Sequence, residues 1–149
     1  MNEKTGEVTT VNPAKCTARV KYDDLDGQIS EELQIVVRGS LKNKDYWMPK
    51  VGEQVYVSFT QQKKGYILGS VFSEADPPPV TDENKRHIEF EDGTTLEYDT
   101  KTHTLSIQSE GPINIKASGN INVTGDVIAD GISLKKHTHP GTGAPNGGG

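Results

Sequence analysis

The chain holds a single cysteine, Cys16, so no disulfide can form within it and nothing covalent braces the fold. Cys16 lies in a strand-like run, where a thiol reads as a small buried apolar residue. Long apolar stretches are missing too. No run of 18 or more apolar residues occurs, which excludes a helix crossing a bilayer. Met1-Asn2-Glu3-Lys4-Thr5 has no apolar core of the kind a secretory signal needs. The sequence therefore predicts a protein made and kept in the cytoplasm unless other machinery carries it out. Positive charge is in deficit: 16 Lys and Arg face 21 Asp and Glu, for a net charge of −5. Nucleic acid needs a basic footprint, so it is not expected as a partner. Three Phe, one Trp and five Tyr are too few for a base-stacking platform. Hydrophobic residues are 32% of the 149, beside 16 Gly and 8 Pro, too little apolar material for a large private core. Either part of the chain is disordered or its interior is shared between copies.

What is present begins with short strands. Glu7 to Val11, Cys16 to Tyr22, Leu33 to Val37, Gln54 to Phe59 and Tyr66 to Phe72 each read as extended segments, with Asn12-Pro13, Asp23 to Gly27 and Val51-Gly52-Glu53 as turns between them. Period-two alternation puts Cys16, Ala18, Val20 and Tyr22 on one face, and Val55, Val57 and Phe59 on another. Five strands in this length predict a small closed β-barrel of the OB type over residues 1–73. Residues 74–84 contain Pro77-Pro78-Pro79, which cannot donate to a β-ladder and read as a stiff linker.

After the linker the texture changes. Leu105 and Ile107, Ile113 and Ile115, and Ile121 and Val123 repeat at intervals of eight residues, as do Gly111 and Gly119. Such self-similarity marks a solenoid-like array. Eight residues make one short strand and a turn, whereas a single-chain β-helix needs roughly twenty or more per coil. Three chains each giving one edge would close a coil of that size. Residues 85–134 are therefore predicted to form an intertwined trimeric β-helix, the alternative being a meander with one greasy face exposed. Gly125 and Gly131 then follow at intervals of six, which implies a taper.

The taper leads to residues 135–149, which carry His137-Thr138-His139. In an extended strand, residues two apart point the same way, so the two imidazoles would converge. Two imidazoles make an incomplete metal site, since such ions take four to six ligands. Copies around a threefold axis would supply the rest; the bland alternative is two exposed histidines in a mobile tail. The final residues of the Gly-rich tail, 141–149, read as added sequence or as unstructured. No catalytic constellation is legible: His87 and His103 lie without a nucleophile at useful spacing and read as surface or packing residues.

Two stretches carry a resemblance. Tyr46-Trp47-Met48-Pro49-Lys50-Val51-Gly52-Glu53-Gln54-Val55 with Gly65-Tyr66-Ile67-Leu68-Gly69-Ser70-Val71 resembles the OB domain of phage baseplate assembly protein V and related spikes of contractile injection systems. In that pattern Pro49 and Gly52 shape a turn, Gly69 permits close backbone approach, and Trp47 is a large apolar lid, either barrel core or docking contact. Residues 126–139 resemble the closing segment of the same family. The resemblance implies a homotrimeric central spike in the virion, at the tip of the tail baseplate. It implies barrels seated on baseplate hub and tail tube proteins. It also implies a tip where His137 and His139 of each chain hold a structural iron, Fe(II), with six imidazoles and no open position. Octahedral nitrogen ligation disfavours zinc, and because binding needs neutral histidine the tip is expected to loosen below about pH 6. The chain would pierce the host membrane mechanically, as no enzyme. A different class, an OB module binding oligosaccharide or single-stranded nucleic acid on a trimerising stalk, stands as the alternative.

Overall fold

The computed structural model describes residues 2–141. The chain divides into two compact units, one of residues up to 87 together with 97–105, the other of residues 88–96 together with those from 106 onward.

In the first unit, strands β1 (Glu3–Asn12), β2 (Thr17–Tyr22), β3 (Leu33–Ile35), β4 (Gln54–Phe59) and β5 (Gly65–Ser70) close into a barrel in the order β1-β2-β3-β5-β4. Neighbours run antiparallel except β3 with β5, which are parallel. This is the OB-like arrangement that strand count and spacing predict. Alternation along each strand builds the interior. Val8 comes from β1, Ala18, Val20 and Tyr22 from β2, Leu33 and Ile35 from β3, Val55 and Val57 from β4, and Ile67 from β5, all buried. Phe59 is only half-buried and leans on Tyr22, with ring centroids 6.2 Å apart. Trp47 packs against this core from its loop, half-buried, and its indole N–H donates to the Val36 carbonyl at 3.3 Å. The apolar lid thus belongs to the barrel wall.

The turn chemistry follows the residues. Lys50-Val51-Gly52-Glu53 closes through the Glu53 amide on the Lys50 carbonyl at 3.1 Å, and Gly52 takes the positive φ of +92° that a type II turn requires at its third residue. Two local expectations are corrected. Cys16 is not a buried strand residue: it ends the turn opened by Asn12-Pro13, half-buried, with φ +54°. Gly69 is not a close-approach position either, since a Cβ there would meet nothing within 4 Å. That role falls to Gly6, where a Cβ would strike the Lys21 carbonyl oxygen, and to Gly65, where it would lie 2.9 Å from both Leu33 Cδ2 and Phe59 Cε1.

Strands β6 (Lys85–Glu89), β7 (Thr95–Asp99) and β8 (Thr104–Gln108) form a three-stranded sheet in chain order. Its connections are too short for parallel crossovers, so it is a meander of hairpins. In the first connection the Gly93 amide donates to the Phe90 carbonyl at 2.9 Å and the Phe90 amide to the Thr94 carbonyl at 2.9 Å. Farther on, the predicted strands at 113–115 and 121–123 are not assigned. A strand exists where a ladder partner exists, and the single chain gives these segments none. The six residues of the eight-residue repeat, Leu105 through Val123, are 54 to 71% exposed. A final hairpin joins β9 (Ile128–Ala129) to β10 (Ile132–Ser133) around Asp130-Gly131, whose φ values of +48° and +81° are those of a tight two-residue turn. Among the described residues no helix is long and apolar enough to cross a membrane.

Candidate metal centre

His137 and His139 follow the β9–β10 hairpin, and the structure brings their rings together. The centroids are 5.0 Å apart and the planes stand at 82°, edge to face. The route differs from the predicted strand. A turn over 134–136 intervenes, and the His137 amide donates back to the Ser133 carbonyl at 2.9 Å. His139 is well within reach of an ion bound to His137, given nitrogen–metal bonds of about 2 Å.

The tautomer of His137 can be read from its neighbours. Nδ1 lies 2.8 Å from the Leu134 carbonyl oxygen and 3.2 Å from that of Ser133. A carbonyl only accepts, so Nδ1 carries a proton, and in the neutral ring Nε2 then holds the lone pair. Metal-ligating histidines commonly donate their second nitrogen in this way, which fixes the ring and strengthens the donor. The residues present therefore fit an imidazole-ligated ion. Among the described residues no group of three or more His, Cys, Asp and Glu comes together. The described residues thus offer a pair of imidazoles, short of the four to six ligands such an ion takes.

Sequence reasoning missed Asp126. Its Oδ1 accepts the amides of Val127 at 2.8 Å and Lys135 at 3.2 Å, and its Oδ2 accepts the Ser133 hydroxyl. The Ser133 hydrogen bond, joined by the two amides, holds the carboxyl below the ordinary aspartate range. An Asp-x-x-x-Asp-Gly spacing before a hairpin was the available signal: an acceptor positioned one strand ahead of a tight turn. The expected Gly-rich end, 142–149, lies outside the described residues.

The other two histidines belong to the first unit. His103 is exposed at φ +55° in the turn before β8. His87 on β6 meets Glu97 on β7, Nδ1 to Oε2 at 2.8 Å, while Lys85 reaches the other oxygen at 2.9 Å. Lys85 first and His87 second hold the Glu97 carboxyl below its usual range. On the barrel, a groove of about 630 Å³ runs between the 50–54 turn and the end of β5, lined by Lys50, Glu53, Ser70, Phe72 and Asp76 among others. Ser70 donates its hydroxyl to Glu53 there, and no histidine lines the groove to act as a base.

No family model matches the chain. A curated homologue does: the Spike protein of Escherichia phage P2 is 25% identical over 122 residues, which is 80% of this chain and 56% of the relative. The chain thus spans little more than half the length of the relative it matches. The homology agrees with the baseplate spike resemblance carried by residues 46–71 and 126–139.

Proposed function

We propose that this chain is the structural central spike of a contractile tail baseplate, a rigid homotrimeric needle that pierces the host envelope as the tail contracts. The observation that carries the reading is the row of apolar pairs from Leu105 to Val123, spaced by eight residues and exposed in the single chain. Large apolar side chains left exposed at so regular a spacing call for a cover. Three identical edges covering one another give a closed coil with no free strand to peel. Homology to a phage spike protein supports the tail role.

In this reading residues 1–73 seat on the baseplate hub, 74–84 space the barrel from the shaft, 85–134 wind into the trimeric β-helix and 135–149 close the tip. His137 and His139 from each chain hold one structural ion, Fe(II), which ties three chain ends together. With its positions filled by imidazole, the ion has no site for water or substrate, so its role is mechanical and not catalytic. Light scattering together with elemental analysis of the purified protein tests the whole: a trimer carrying one ion per three chains is expected. A compact, well-ordered monomer would sink the proposal. Micromolar glycan or single-strand binding by such a monomer would favour the OB-module alternative.

A further inference from the structure

We propose that Asp126 is the positioning residue of the metal tip: it shapes the turn whose Leu134 carbonyl holds His137 with Nε2 turned out as the donor nitrogen. Only the identity of what Nε2 meets rests on the metal reading above; the positioning concerns this chain's own hydrogen bonds.

The connections run as a short chain. Asp126 precedes β9, and its two oxygens reach forward across the hairpin to the Ser133 hydroxyl and the Lys135 amide. The Ser133 oxygen, its proton given to Asp126, accepts the Lys136 amide at 3.0 Å. The Leu134 amide donates to the Val127 carbonyl at 2.8 Å, so both ends of residue 134's peptide environment are fixed. The Ser133 carbonyl accepts the His137 amide at 2.9 Å, and the Leu134 carbonyl is left pointing at His137 Nδ1, 2.8 Å away. One carboxylate thereby reaches Ser133 and Lys135 directly and Lys136 through the Ser133 hydroxyl. All these groups are near the surface, so water can satisfy them if Asp126 is lost. The expected consequence of its removal is a looser turn and an undirected imidazole, not an unfolded chain.

The test uses full-length protein as wild type, Asp126→Ala, Asp126→Asn and Ser133→Ala. Asparagine keeps Oδ1 for the two amides, and its Nδ2 can donate to Ser133, so it should rescue. In metal-stripped protein, ring nitrogen NMR shifts report the tautomer of His137. Wild type and Asp126→Asn should show the Nδ1–H form, and Asp126→Ala a mixture with Nε2–H. Fe(II) affinity, by competition with a chromogenic chelator, should fall about 10–100-fold for Asp126→Ala, the range typical of lost outer partners. It should stay near wild type for Asp126→Asn and lie between for Ser133→Ala. Oligomer mass and circular dichroism should not change. A wild-type tautomer and affinity in Asp126→Ala would overturn the inference, as would a tautomer change that appears only when the oligomer is lost. If Asp126→Ala does not fold, a wild-type tautomer in Ser133→Ala overturns it equally. Should the wild type take up no Fe(II) while the tautomer still responds to Asp126, the metal reading fails and the positioning role stands.

Discussion

Gly6 pairs with Tyr22 on β2 and with Val55 on β4 at once, so it sits where the barrel wall is tightest. A methyl group there would strike the Lys21 carbonyl and lie 2.6 Å from Val20 Cγ1, neither of which can swing aside. Gly6→Ala should therefore cost about 1–3 kcal/mol, the usual range for overpacking. It should show as a lower denaturant midpoint with unchanged slope; an unshifted midpoint would count against the closed barrel. Asp126 gives a second residue-scale expectation. Its folded carboxyl lies below the ordinary aspartate value because Ser133 and two amides stabilise the charged form. Its contribution is thus fully present above about pH 4, the unfolded value, and is lost as acid titrates the folded group below that. The amide signals of Val127 and Lys135 should hold steady from neutrality down to about pH 4 and move together below it. Amide signals that do not respond to acid below about pH 4 would show that the carboxylate does not hold the turn.

Strands with their own partners were legible in the sequence, and strands without them were not. The alternation of Ala18, Val20 and Tyr22, and of Val55 and Val57, predicts faces that the barrel does bury. The turns at Asn12-Pro13 and Val51-Gly52 follow from residue type. What the pattern could not give is local geometry that depends on a neighbour. Cys16 carries the strand's alternation one step too far into a turn, and Gly69 looks like a close-approach glycine although Gly6 and Gly65 are the barrel glycines under pressure. The pairing of His137 and His139 was legible from their spacing, but the means was not. A turn over 134–136 leads into the pair, and its Lys135 amide is held by Asp126, eleven residues before His137. The repeat at 113–115 and 121–123 is the reverse case, where the sequence is regular and the single chain has nothing to pair with it. Ile113→Asp combined with Ile121→Asp tests that element directly. Each isoleucine is worth about 1.5–3 kcal/mol when buried, and the loss recurs in every copy. Sedimentation should show monomers with an intact barrel. A trimer that survives both aspartates would mean these residues face water in the assembly.

At the scale of the molecule, the proposed assembly would divide labour between apolar area that joins the copies into a shaft and a few polar atoms that close its point. Among the described residues no helix is long and apolar enough to cross a membrane, so in the proposed role penetration would be driven from behind and would call for stiffness. A closed coil resists because every edge strand is covered. Its ends remain the weak place, since terminal turns fray first. An ion held by the paired histidines would act there, joining three chain ends through bonds that none of them can make alone. Removing both ligands with His137→Ala and His139→Ala should therefore abolish the bound ion completely. It should leave the trimer mass unchanged, because in the proposed assembly the repeats from Leu105 to Val123, exposed in the single chain, would supply the buried area. Protease should then nick residues near 130–140 faster than in the wild type, while the barrel is cut no sooner. A double variant that falls apart into monomers would reverse the assignment, making the metal the clasp that assembles the shaft instead of the cap that finishes it.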